Sequence, residues 1–245
     1  LNILKRFFAA GIPFFVLEKY YPRLFSHVIA LSSETKFKIN THVAAIFPAG
    51  LNSNIFSRHI MSGLDGQEEL FVLYIGRLHM KNKGLDTLVL AMKNLDVKLT
   101  IIGKGADERN IKEMIKDIKL HNIYFSGFVS DNEKMAEIEK SVMLVVPSRY
   151  EGQGIVVLEA AAFGKPVVVS DIPELRYAVD AGFGISFKTG DAIDLAKKVK
   201  YLLENEVVRN EMGQKGREYA KNFTWDKIAV DYEQYLAGVA GMEND

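Results

Sequence analysis

The stretch Val142-Met-Leu-Val-Val146-Pro-Ser-Arg-Tyr150-Glu151-Gly-Gln-Gly154-Ile-Val-Val-Leu-Glu159-Ala-Ala-Ala162-Phe-Gly164-Lys-Pro166 reads as a strand, a glycine-rich turn and a helix in immediate succession. The run 142–146 is short, apolar and largely β-branched, as a buried strand is. A helix over 155–163 follows, stopped by Gly164 with Pro166 just beyond. At such a turn the amides of Gly152, Gln153, Gly154, Ile155 and Val156 lack helical partners and the helix dipole adds partial positive charge, so a diphosphate is the natural guest. Glu151 lies outside the helix. Glu159 lies within it, about 6 Å along the axis from its start at the standard rise per residue. An ionised carboxylate accepts at both oxygens, which suits the vicinal hydroxyls of a ribose or a hexose. Two such clamps with one diphosphate between them would hold both ends of a sugar nucleotide. The competing explanation is structural: glycine-rich strand-to-helix turns recur in doubly wound proteins, and the dipole alone favours carboxylates near helix starts.

Outward from this unit the pattern repeats. Apolar strands over 70–75, 97–102, 123–125, 142–146, 167–170 and 184–187 alternate with helices over 85–94, 108–120, 132–139, 155–163 and 192–204. This predicts an α/β fold with a doubly wound parallel sheet. Two further helices, over 206–222 and 224–240, close the chain, the second with Thr224 as N-cap ahead of Trp225. The segment 57–69, with Gly63 and Asp65-Gly66, reads as a linker. Upstream, strands over 27–31 and 43–47 flank a short helix capped near Ser32. They are too few to bury a core alone, so residues 1–56 read as part of a second domain that docks elsewhere: on residues 70–245, on a partner chain, or on a part outside this sequence.

Composition excludes several classes. Of 245 residues 48% are hydrophobic and 25% charged, and 31 basic residues balance 31 acidic ones, which argues against a nucleic-acid partner. There is no cysteine, and the five histidines show no metal-ligand spacing, so no metal site is expected. No uncharged apolar run reaches the roughly 18 residues of a spanning helix, and a secretory leader pattern is not evident, so the cytoplasm is the expected compartment. Residues 1–25 mix aromatic and basic side chains around Gly11 and Pro13. A buried terminal helix is the favoured reading, and peripheral contact with the inner face of a membrane is the alternative.

A second phosphate-directed cluster, Gly76-Arg77-Leu-His-Met-Lys81-Asn-Lys83-Gly84-Leu-Asp-Thr-Leu88, follows the first strand of the sheet. Ligands of open parallel sheets bind beyond the carboxyl ends of the strands, so Arg77 and Lys83 should share a crevice with the turn after Glu151. Arg77 can fork onto phosphate oxygens and Lys83 can act as a point charge; the competing reading is a solvated basic loop. Gly103, in Ile101-Ile-Gly-Lys-Gly105, permits close backbone approach. Main-chain groups at Phe128 and Val129 could pair with a base edge, although a tight turn or a core aromatic explains either segment taken alone.

These motifs, in this order, resemble the group 1 glycosyltransferases of retaining GT-B type: Gly-Arg-Leu with Lys-Gly-Leu-Asp-Thr-Leu, Ile-Ile-Gly-Lys-Gly, Phe-Ser-Gly-Phe-Val, Pro-Ser-Arg-Tyr-Glu-Gly-Gln-Gly with Glu-Ala, and Gly-Lys-Pro-Val-Val. The most specific part is the Glu-x7-Glu pair, Glu151 and Glu159. The resemblance runs from about Ser26 to the end. It implies a Rossmann-like C-terminal half of a GT-B fold, with 1–56 as the end of the acceptor-side domain. It further implies that Arg77 and Lys83 bind and stabilise the departing diphosphate, that Glu159 holds the ribose, and that Glu151 contacts the transferred sugar. The implied reaction is metal-independent transfer from a nucleotide-sugar, without a cofactor, to a carbohydrate or lipid-linked acceptor. Two departures stand out. Pro48-Ala49-Gly50-Leu51-Asn52 replaces the usual Pro-Asn-Gly-Val-Asp, and Gln153 stands where an aromatic residue is common. The catalytic histidine that the family carries in its first domain matches no residue here. Alternatives are another GT-B chemistry, such as epimerisation or phosphorolysis, and a non-catalytic nucleotide-sugar sensor.

Overall fold

The computed structural model describes residues 29–30, 45–57 and 70–242. The proposed membrane-contacting segment 1–25, the cap at Ser32 and nearly all of the linker lie outside the described residues. The chain divides into two compact units, Leu1–Ala49 and Gly50–Asp245. In the first unit, β1 (Ile29–Ala30) and β2 (Ala45–Ile46) pair in parallel.

The second unit is built on six parallel strands: β3 (Phe71–Ile75), β4 (Lys98–Ile102), β5 (Ile123–Gly127), β6 (Met143–Val146), β7 (Val167–Ser170) and β8 (Gly184–Phe187). Their order is β5-β4-β3-β6-β7-β8. Chain direction across the sheet reverses between β3 and β6, which makes this pair the topological switch point where doubly wound folds bind ligands. The intervening helices are α1 (Met80–Lys83), α2 (Leu85–Met92), α3 (Glu108–Asp117), α4 (Asp131–Lys140), α5 (Ile155–Ala162), α6 (Arg176–Asp180) and α7 (Ala192–Glu204). Two more, α8 (Glu206–Ala220) and α9 (Trp225–Met242), follow.

Both faces of the sheet are covered, which is why its strands read as continuous apolar runs. Val72, Tyr74, Leu99, Ile101, Met143, Val145 and Val168 pack with α2, α3 and α7 on one side. Phe71, Leu73, Leu144, Val146, Val167 and Val169 pack with α4, α5 and α8 on the other. Successive residues of each strand thus enter different cores, as the two-residue period requires. Residues 50–56, which sequence patterning groups with the upstream domain, pack into the second unit. Leu51 and Ile55 are buried there, and Leu51 exchanges backbone hydrogen bonds with Phe223 and Trp225 at 2.6 and 2.9 Å. Lys227 N donates to Thr224 Oγ1 at 3.4 Å, so Thr224 sits where the expected cap of α9 belongs. The short helices α1 and α6 are additions to the pattern read from sequence.

Candidate functional site

The loop after β3 is anchored before it becomes basic. Gly76 and Leu78 donate backbone hydrogen bonds to Ile102 and Lys104, and Leu78 is fully buried. The Tyr74 hydroxyl donates to the Arg77 carbonyl at 3.0 Å. Burial, with the nearby Glu151 carboxylate, holds the Tyr74 phenol well above the ordinary tyrosine range. Gly103, at φ 141°, meets this loop so closely that a Cβ there would stand 1.9 Å from the Gly76 carbonyl oxygen. Arg77 is left with its guanidinium exposed and with no side-chain partner among the described residues.

Lys83 is placed by a short device. The His79 side chain caps α1, with Nδ1 accepting from Asn82 N at 3.3 Å, and Asp107 Oδ2 accepts from Met80 N at 2.8 Å. Gly84 ends α1 and begins α2 in the left-handed region, at φ 62°. A Cβ on it would lie 1.9 Å from the Pro147 carbonyl oxygen, so only glycine allows the loops after β3 and β6 to touch here.

Across that contact Lys83 Nζ lies 2.5 Å from Glu151 Oε1. The buried Ser148 hydroxyl donates to the same oxygen at 2.7 Å. Glu151 Oε2 has no donor among the described residues, which leaves it able to accept from a ligand hydroxyl. Gly152 and Gln153 then lead to Gly154, at φ 70°, whose side opens α5 without a side-chain cap. The Tyr177 hydroxyl lies 3.2 and 3.4 Å from the carbonyl oxygens of Gln153 and Gly154. In a trans peptide the next N–H points the opposite way, so the amides of Gly154 and Ile155 face away from Tyr177.

Glu159 is buried in α5 and accepts from Lys134 of α4 at 2.7 Å, while Lys134 Nζ also lies 3.2 Å from Asp131. Burial pulls the Lys134 pKa down, but hydrogen bonds and charge from Glu159 and Asp131 outweigh it, and the net shift is upward. Both acidic positions singled out in the sequence therefore already hold a lysine. Neither Lys134 nor Ser148 was among the expected site residues. The readable signal for Lys134 was the start of α4: Ser130 and Glu133 form a capping box directly after Val129, which fixes where the fourth helical residue falls. At the end of β5, Phe128 is 76% exposed and Val129 is partly buried against the core. Among the described residues no cluster of three or more histidine or acidic side chains is placed to hold a metal ion. No described helix is long and apolar enough to cross a membrane.

A six-stranded doubly wound sheet with a basic loop, an acidic turn and an uncapped helix start converging on its switch point defines an α/β domain with a candidate ligand site. Residues 59–219 match the family of group 1 glycosyl transferases, and the chain belongs to it. It is 34% identical over 161 residues to an uncharacterized glycosyltransferase of Methanocaldococcus jannaschii, covering 65% of this chain and 46% of that protein. It is 33% identical over 176 residues to the phosphatidyl-myo-inositol mannosyltransferase of Mycobacterium leprae, covering 69% and 46%. The chain thus spans about half the length of these curated relatives. Among solved structures, sucrose-phosphate synthase from Thermosynechococcus elongatus superposes with a TM-score of 0.77 at 26% identity, over 88% of this chain and 59% of that one. TarM of S. aureus, solved with UDP, gives 0.71 at 26% identity over 86% and 44%. The fold is that of the GT-B glycosyltransferases.

Proposed function

We propose that this chain carries the donor-binding half of a retaining glycosyltransferase that moves a sugar from a nucleotide-sugar to a carbohydrate or lipid-linked acceptor. The observation that carries this reading is the meeting of Lys83, Glu151 and the uncapped start of α5 at one switch point. A diphosphate placed there would receive the amides of the Gly152–Val156 turn, the Lys83 ammonium and the exposed Arg77 guanidinium. Together these offset the charge that develops on a departing diphosphate, a task otherwise given to a divalent cation. Glu151 Oε2 would accept from hydroxyls of the transferred sugar, and Glu159, paired with Lys134, from the ribose. The exposed end of β5 at Phe128 and Val129 would face the base. Residues upstream of Gly50 read as the end of an acceptor-side domain, and retention is assigned to front-face attack, with no carboxylate acting as nucleophile.

Titration calorimetry of the chain with uridine, guanosine and adenosine diphosphates tests the site. One of the three should bind, and Lys83→Ala and Glu159→Ala should each weaken that binding about tenfold or more, the scale of a lost charge-assisted hydrogen bond. Binding of none, or unchanged affinity in both variants, would overturn the assignment.

A further inference from the structure

A second arginine, outside the proposed phosphate contacts, bridges the two loops that meet at the switch point. The Arg149 guanidinium forks onto Asp86, Nη1 to Oδ1 at 2.8 Å and Nη2 to Oδ2 at 2.7 Å. Its Nη2 also donates to Thr87 Oγ1 at 3.0 Å, and Nη1 to the Met80 carbonyl at 2.9 Å. The backbone amides of Arg149 and Tyr150 both donate to the Asn82 carbonyl, at 2.8 and 3.2 Å. All of these bonds run from the loop after β6 to the α1–α2 corner. They bracket the working pair: Lys83 follows Asn82, and Glu151 follows Tyr150.

We infer that Arg149 and Asp86 form a positioning strap that holds Lys83 and Glu151 in register for the donor diphosphate. The strap touches no part of the proposed donor and acts through Lys83. This rests on the donor-site reading above. The pair is about one-third exposed on each side, 32% and 34%, so solvent screening limits its contribution to global stability. Its geometry is what matters. A planar fork on a carboxylate fixes distance and orientation together, whereas an ammonium in its place keeps the charge and loses the orientation.

The test compares wild type, Arg149→Lys, Asp86→Asn and Lys83→Ala in the 245-residue chain. The probes are the nucleoside diphosphate of the three that binds, followed by calorimetry, and its parent nucleoside, followed by ligand-observed NMR. Arg149→Lys should weaken diphosphate binding about tenfold, leave nucleoside binding within about twofold, and lower the thermal midpoint by no more than about 3 °C. Asp86→Asn should do the same from the other side of the strap, so a folding defect in one variant does not end the test. In the Lys83→Ala background Arg149→Lys should change diphosphate affinity by less than about twofold, because the residue it positions is gone. Equal losses for nucleoside and diphosphate, full additivity with Lys83→Ala, or no loss at all would overturn the strap while the donor site stands. Failure of wild type to bind any of the three diphosphates would overturn both.

Discussion

The two acidic side chains of the site differ in how their lysines release them. Lys83 and Ser148 both address Glu151 Oε1, so a diphosphate at the proposed site would compete with Glu151 for the ammonium. Replacing Glu151 with Gln keeps the shape and removes that competition. Glu151→Gln should therefore bind free nucleoside diphosphate more tightly than wild type, by roughly two- to tenfold, the range of one weakened charge-assisted bond. Calorimetry reads this directly, and weaker binding in the variant would mean that the pair prepares the site more than it obstructs it. Glu159 faces the opposite problem, because it is buried and its partner Lys134 is largely out of water. Lys134→Met should leave an uncompensated carboxylate and cost about 1–3 kcal/mol in denaturant unfolding, below the range of a fully buried pair because some solvent reaches the lysine. Adding Glu159→Gln should recover part of that loss. If the double variant is no more stable than the single one, the pair is not what stabilises this end of α5.

At the level of elements, the six strands were legible because a parallel sheet buried on both faces leaves continuous apolar runs. The helix over 155–163 was legible through its glycine stop at Gly164 and Pro166 just beyond it. The site was half legible. Arg77, Lys83, Glu151 and the turn after it stood out because glycines and charges cluster in sequence at strand ends, and of these Lys83 and Glu151 do meet. Lys134, Arg149 and Tyr177 were missed because their roles depend on contacts between elements 24 to 63 positions apart, and no local pattern encodes those. The α1 and α6 helices, of 4 and 5 residues, are too short to show a helical period. The packing of α5 on α8 is similarly hidden. Gly213 of α8 faces the Gly164 carbonyl, and an added Cβ would stand 2.0 Å from that oxygen. Gly213→Ala should force the helices apart and destabilise the domain by about 1–3 kcal/mol. Because α5 carries Glu159, nucleoside diphosphate affinity should fall with it. Full stability by denaturant titration would show that the interface yields at no cost.

Across the whole molecule, the proposed donor crevice rests on two buried phenols. Tyr74 supports the loop carrying Arg77, and Tyr177 supports the turn before α5. In both, burial is the larger cause of a raised pKa, with negative charge from neighbours, Glu151 included, adding to it. A phenol whose folded pKa exceeds its unfolded value of 10.0 binds its proton more tightly in the folded state. Its contribution to stability is complete below pH 10 and is lost as pH rises from there toward the folded value. The partly buried Lys165 works against this. Desolvation is the main cause of its lowered pKa, so its charge penalises folding until it loses its proton on the way to the ordinary lysine value of 10.5. The two phenols, joined in the same direction by the Tyr219 phenol and the Lys134 ammonium, whose pKa values are also raised, outweigh one amine, and the thermal midpoint should decline as pH rises beyond about 10. Tyr74→Phe and Tyr177→Phe remove one titrating group each and should flatten that decline step by step. Absorbance of tyrosinate should show both phenols ionising only together with unfolding. A normal early titration of all ten tyrosines, with the fold intact by circular dichroism, would mean that water reaches these hydroxyls and that the loops they support are not held from beneath.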